Sequence, residues 1–235
     1  MPSIMLPGSK LPVHLAVPAV GAGPWPAVVV LHEILGLTDD IRQQADRLAA
    51  AGYLAVAPDL FSRGGAMRCL RSTFSALMSG RGQAYDDIEA ARAYAAGRPD
   101  TTGKVGVIGF CMGGGFALMT APRGFDVAAP NYGQLPKNAA QVLSGSCPVV
   151  ASYGKRDVAL RNAGDTLTGV LTELDVAHDV KTYDGVGHSF MNRHSLGPFG
   201  VLEKVVGLHY DEPSAEDAWT RILRFFDTHL DASPA

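Results

Sequence analysis

Short, continuously apolar runs alternate along this chain with amphipathic windows of helical period, and that alternation limits the folds open to it. Ala27–Leu31, Tyr53–Ala57, Lys104–Ile108, Phe125–Pro130, Pro148–Tyr153 and Asp179–Tyr183 read as strands. Between them, Thr38 can cap a helix that runs to about Ala51, with Asp39 and Asp40 in the first turn and Gly52 after its end. Further helices are predicted over Met112–Ala121, from about Asn162 to Leu174, around Ile88, Ala91 and Ala95, and over about Ala215–Leu230. In the last of these, Trp219, Ile222, Phe226 and Leu230 form one stripe at spacings of three and four. Strands without polar alternation need both faces covered, so the pattern predicts a mostly parallel sheet between helical layers. Ser3–Leu6 and Leu11–Val17, flanking Gly8-Ser9, predict an antiparallel hairpin in front of it. Two long connections, Phe61–Gly82 and Phe190–Pro213, interrupt the rhythm, and connections of that length are either functional or surface decoration.

The 235 residues suit one α/β domain, 1–235, with no linker, repeat or low-complexity tract. A hydrophobic share of 47% against 18% charged supplies a core and excludes wholesale disorder. A net charge of −3 argues against a nucleic-acid partner. Three cysteines with no CxxC pair suggest neither a disulfide framework nor a thiolate zinc site. No apolar run approaches the ~20 residues of a membrane span, and Met1–Leu15 lacks the pattern of a signal peptide. A reducing, cytoplasmic setting is the expectation.

The sharpest chemical signal is Gly109-Phe110-Cys111-Met112-Gly113, followed by Gly114 and Gly115. It leaves a strand and opens a helix, as G-x-S-x-G does, with cysteine in place of serine. A nucleophile in such an elbow sits on a sharp, strained turn, and side chains at the neighbouring glycine positions would clash across it. The helix that begins there favours thiolate through its dipole. The plain alternative is a packing turn around an inert cysteine. Asp157 and His188 each follow a predicted parallel strand, which brings both to the sheet edge that carries Cys111. Imidazole can take the thiol proton and a carboxylate can hold the other ring nitrogen. Taken singly, Asp157 also reads as a turn former and His188 as a surface loop residue. His32-Glu33 is not HExxH, because Gly36 stands where the second histidine would be, so no metal is expected.

The chain resembles the dienelactone hydrolase family of α/β-hydrolases over essentially its whole length. The motifs that carry the resemblance are Leu31-His32-Glu33-Ile34-Leu35-Gly36, Ala57-Pro58-Asp59-Leu60-Phe61, Gly106–Gly114 with its cysteine elbow, and Gly187-His188-Ser189-Phe190. The resemblance implies the α/β-hydrolase fold, a mostly parallel central sheet of about eight strands. It implies a Cys111–His188–Asp157 triad that cleaves a small ester or lactone through an acyl-cysteine, without a cofactor. It also implies that Glu33 contacts the nucleophile and assists its deprotonation when substrate binds. A carboxylate beside a thiol raises the cost of thiolate, so the free enzyme would keep Cys111 largely protonated. The backbone N–H groups of Met112 and Ile34 are the expected oxyanion donors.

Members of the family also hold an anionic lactone through arginines. Arg71, with Arg68 nearby, falls in the first such region. At the second expected position stands Asn192, followed by Arg193, a departure that puts carboxylate recognition in question. Tyr132 is a candidate pocket residue or a packing one. Cys69 is expected in a connecting loop and Cys147 at the start of a strand, both structural. His14, His178, His194, His209 and His229 receive no role. The expected partner is a small ester or lactone, with the protein a monomer or small homo-oligomer and no membrane contact. A glutaminase-like Cys–His amidohydrolase and a catalytically silent binding protein on the same scaffold are the rival readings. In the first, the acid follows the histidine closely, whereas Asp157 precedes His188 by a β-α-β step. A nucleotide site is excluded, since Gly106–Gly115 does not fit G-x-G-x-x-G and no Walker A sequence occurs.

Overall fold

The computed structural model describes residues 4–64, 66–193 and 209–230, and side chains of 66–68 are not described. Ser3 of the hairpin, the side chain of Arg68, His194 and most of the Phe190–Pro213 connection therefore lie outside the described residues.

The strands are β1 (Ile4–Met5), β2 (Pro12–Ala16), β3 (Trp25–Leu31), β4 (Leu54–Pro58), β5 (Thr101–Phe110), β6 (Val127–Asn131), β7 (Val149–Gly154) and β8 (His178–Tyr183). They form one eight-stranded sheet in the order β1-β2-β4-β3-β5-β6-β7-β8. The pairs β1–β2 and β2–β4 are antiparallel, and all the others are parallel. This is the α/β-hydrolase architecture. From β3 the chain steps outward to β4, then returns to lay β5 on the opposite side of β3. The crevice where a sheet reverses direction lies outside the strands' carboxyl ends, and that is where ligands of open α/β sheets bind.

The helices are α1 (Asp39–Ala50), α2 (Ala66–Ser79), α3 (Gln83–Ala96), α4 (Met112–Thr120), α5 (Ala139–Val142), α6 (Ala163–Glu173) and α7 (Glu212–His229). Period-two alternation in β3 explains the layers. Ala27, Val29 and Leu31 point into a cluster with α2, α3, α4 and α6, while Val28 and Val30 join α1 and α7 on the other face. Thr38 caps α1 through Oγ1, which accepts from the Ile41 N–H at 3.5 Å. Asp211 caps α7 by accepting from the Ser214 N–H at 3.1 Å, with Pro213 in the first turn. The expected stripe Trp219, Ile222, Phe226 and Leu230 is buried throughout.

Three local expectations are corrected. The Phe61–Gly82 connection contains a full helix, α2. Its buried positions include Cys69, Thr73, Ala76 and Leu77, a helical spacing made obscure by a polar residue type at Thr73. Cys69 therefore lies in a helix, its Sγ donating to the Phe61 carbonyl at 3.4 Å. Cys147 precedes β7, which begins at Val149. Strand β5 starts at Thr101, ahead of the apolar run, because Thr102, Gly103 and Lys104 project into solvent. Among the described residues no helix is long and apolar enough to cross a membrane.

Candidate active site

The elbow forms because four glycines let two chain segments meet at backbone distance. A Cβ on Gly109 would lie 2.0 Å from the Gly113 carbonyl oxygen, and one on Gly113 would lie 2.2 Å from that of Leu31. One on Gly114 would meet the Asn131 carbonyl oxygen at 2.4 Å. The ends of β3, β5 and β6 thus close around Cys111, a non-glycine residue held at φ 55°, ψ −114°. Such a conformation costs on the order of 1–3 kcal/mol and persists only where its surroundings impose it. Met112, the first residue of α4, presents its N–H at the helix N-terminus beside the sulfur.

Asp157 and His188 meet because their loops are stitched together. The N–H groups of Lys155 and Arg156 donate to the carbonyls of Tyr183 and Val186, both at 2.9 Å. A Cβ on Gly154 would lie 2.3 Å from the Gly187 carbonyl oxygen. Asp157 is buried, and its Oδ1 accepts from the N–H groups of Ala159 and Leu160. That leaves Oδ2 for His188 Nδ1, at 2.6 Å. A carboxylate only accepts, so Nδ1 carries a proton and Nε2 is the nitrogen left for chemistry. Burial alone would push this imidazole down. Hydrogen bonds to Asp157 and to the Cys111 sulfur, with the charges of both, overcome it and push His188 up to about 10.

Beyond β3, the loop 32–36 carries Glu33 and Ile34. Glu33 is buried, and its charge acts with those of Asp40 and Cys111 on the Tyr132 phenol, already raised by burial. Ile34 is partly exposed in a tight turn that the Gly36 N–H closes onto the Glu33 carbonyl at 3.1 Å. His32, fully buried, anchors this loop. Its Nε2 accepts from the Leu60 N–H at 3.1 Å, and its Nδ1 donates to the Glu33 carbonyl at 2.7 Å. Burial holds the imidazole below its ordinary pKa, with the Glu33 carbonyl opposing in part, so it is neutral. The sequence offered no sign of this contact, because Leu60 lies 28 positions away.

Tyr132 forms a wall of the site. It is fully buried at φ 40°, its ring meets His188 edge-on with centroids 5.2 Å apart, and its hydroxyl donates to Asn192 Oδ1. Asn192 is also buried, and its Nδ2 donates to Asp40 Oδ2 at 2.6 Å. A cavity of about 120 Å³ opens between Cys111, His188 and Tyr132, with Phe74, Leu77, Met112, Gln134, Ala159 and Leu160 around it. Phe74 and Leu77 come from α2, the helix hidden in the first long connection. Clefts of about 550 Å³ exist elsewhere, but neither touches Cys111 or His188.

The two arginines are not brought to this cavity. Arg71 is exposed on α2, one turn before Phe74, and does not line it. The Arg193 guanidinium lies 4.0 Å over the Tyr210 ring in a separate cleft beside Arg47 and Glu216. Its backbone N–H donates to Asp40 Oδ1 at 3.0 Å. Among the described residues no group of three or more His, Cys, Asp or Glu side chains is arranged to hold a metal ion.

Comparison with known proteins gives the same picture from outside the structure. A carboxymethylenebutenolidase of Rhodococcus opacus is 29% identical over 91% of this chain and 85% of its own length. A Yersinia pestis protein provisionally given the same name is 28% identical over 94% of this chain and 85% of its own. A solved structure from Klebsiella pneumoniae subsp. pneumoniae, provisionally described as a dienelactone hydrolase, superposes with a TM-score of 0.79 at 26% identity. It covers 95% of this chain and 96% of the other. The family model for dienelactone hydrolases matches residues 11–230, the span that contains the sheet, the cysteine elbow and the Asp157–His188 pair. The chain belongs to the dienelactone hydrolase family and is a carboxymethylenebutenolidase-like hydrolase of esters or lactones.

Proposed function

We propose that this protein hydrolyses a small ester or lactone through an acyl-cysteine on Cys111, with His188 and Asp157 completing the triad. The observation that carries this reading is the relay itself: a buried carboxylate bonded to His188 Nδ1 at 2.6 Å, with the imidazole in turn bonded to a sulfur on a strained elbow. The sulfur attacks the carbonyl carbon, a C–S bond forms, and the carbonyl electron pair moves onto oxygen. The N–H groups of Met112 and Ile34 receive that oxyanion, an interaction whose loss costs about 2.7–4 kcal/mol of barrier per donor in other acyl-transfer enzymes. Collapse breaks the ester C–O bond, and the leaving oxygen takes the proton from His188. Water then adds to the thioester carbonyl, giving its proton to His188 Nε2. The second collapse breaks the C–S bond and frees the acid, with the proton returned to the Cys111–His188 pair. Asp157 holds the ring in the tautomer both steps need.

Glu33 has a different part. Its buried carboxylate opposes a full negative charge on the neighbouring sulfur until substrate enters. The test is labelling and turnover on one set of variants. Cys111→Ala should abolish hydrolysis and the mass gain expected on the Cys111 peptide during turnover of an activated ester. Cys69→Ala and Cys147→Ala should leave both. Iodoacetamide should label Cys111 slowly in the resting protein and faster in Glu33→Gln. An acyl adduct on any other residue, or turnover surviving in Cys111→Ala, overturns the reading. Turnover of glutamine with no turnover of esters would select the amidohydrolase instead.

A further inference from the structure

The side chains around the nucleophile suit an uncharged substrate. Apart from the catalytic pair, the cavity wall is Phe74, Leu77, Met112, Ala159 and Leu160, with Gln134 the one polar group whose side chain is not already committed. The Tyr132 hydroxyl is turned away and spent on Asn192. No arginine or lysine is among the described residues lining it. Asn192 cannot help bind an anion, because it is buried between Tyr132 and Asp40. The fixed charges that surround the site are carboxylates: Asp157 behind His188, Glu33 at the end of β3, and Asp40 beneath Asn192. The Tyr132 phenol, held up by burial and by the negative charges near it, reports a field of that sign.

The rim repeats the pattern. Among the described residues eight large apolar side chains are exposed, and five of them, Ile34, Leu35, Phe74, Met78 and Val158, belong to the loop after β3, to α2 and to the Asp157 loop. Apolar residues exposed singly need no explanation, but a cluster around a cavity marks a binding surface.

We propose that this cavity selects uncharged esters with a compact apolar acyl group and discriminates against acyl groups that carry a carboxylate. The proposal rests on the acyl-cysteine reading and names its substrate class. Size follows from volume. An apolar cavity of ~150 Å³ takes benzene, so 120 Å³ holds an acyl group of about five carbons. An ionised carboxylate entering it would shed water and meet no cation, a cost far above that of a methyl group.

The experiment compares kcat/KM for phenyl butanoate and for the phenyl monoester of butanedioic acid, in wild type and three variants. Wild type should favour the uncharged ester by at least about 100-fold, each factor of ten corresponding to ~1.4 kcal/mol. Arg71→Ala and Arg193→Ala should leave that ratio within about twofold, because neither side chain reaches the cavity. Phe74→Arg, at a partly exposed position that tolerates a long side chain, should lower the ratio about tenfold or more by raising turnover of the charged ester. A wild-type ratio near one, or in favour of the charged ester, overturns the proposal while leaving the hydrolase reading intact. So does a selective loss of charged-ester turnover in Arg71→Ala or Arg193→Ala. Hydrolysis of neither ester by folded wild type removes the acyl-cysteine reading, and the proposal falls with it.

Discussion

Asp157 divides its two oxygens between different tasks. Oδ1 is held by two backbone N–H groups, and Oδ2 is left for His188 at 2.6 Å. Asp157→Asn preserves the shape but presents an amide N–H or a neutral oxygen to Nδ1, so the wrong tautomer gains. Turnover should fall by about 10⁴-fold, the size of the matching change in a serine-protease triad. The same pair gives a pH signature. His188 lies at about 10 in the folded protein against 6.5 ordinarily, so between those values the folded state holds a proton the unfolded state has released. Stability from the pair is complete below pH 6.5 and is lost as pH rises toward about 10. In urea titrations the stability gap between wild type and Asp157→Asn should therefore narrow from pH 6.5 to pH 10. A gap that widens with pH would contradict the assignment of the proton to His188.

At the scale of elements, the loop after β3 depends on one neutral imidazole. His32 accepts from Leu60 and donates to Glu33, joining the loops that follow β3 and β4. His32→Leu leaves a buried N–H and a buried carbonyl unpaired, at about 1–3 kcal/mol each. His32→Gln keeps one donor and one acceptor and should restore most of that loss. Because the loop carries Ile34 and Glu33, the leucine variant should lose kcat with little change in KM, and glutamine should recover it. The pH dependence has the opposite sign to that of His188. Burial lowers His32 below 6.5, so its contribution is present above that value and is lost as pH falls. His32→Gln should remove this acid-side loss in thermal melts, and an unchanged acid profile would exclude His32 from it.

Across the whole molecule, α7 closes the sheet through one buried cation. Arg221 forks onto Asp179 of β8 at 2.7 and 3.1 Å, donates to the Asp179 carbonyl at 2.8 Å, and reaches the Tyr183 hydroxyl at 3.2 Å. Removing one partner of a fully buried pair costs about 3–5 kcal/mol. Asp179 keeps a third of its side chain exposed, so Asp179→Ala should cost about 2–3 kcal/mol after screening. Arg221→Met, which packs without stranding a charge, should cost less than Asp179→Ala in chemical denaturation. The reverse order would mean that α7 is held by its apolar stripe alone.

Local chemistry made much of this protein readable before any coordinates. Continuous apolar runs require a covered sheet, a stripe at spacings of three and four requires a helix face, and glycines around Cys111 require a turn no other residue tolerates. Strand ends then placed Asp157 and His188 on the correct edge. What the chain could not disclose was contact between residues far apart in number. The Leu60 N–H on His32, the Gly154–Gly187 contact that joins the acid and histidine loops, and Asn192 held between Tyr132 and Asp40 exist only once the sheet order is set. Helix α2 escaped because Thr73 occupies a buried position that an apolar periodicity does not count. Arginines near the motifs looked available for an anion, yet side-chain direction, which sequence spacing does not encode, turns Arg193 onto Tyr210 and leaves an apolar wall at Cys111. Periodicity and backbone strain are local and can be read along the chain, whereas the charge of a cavity is a sum over distant segments and exists only after they pack.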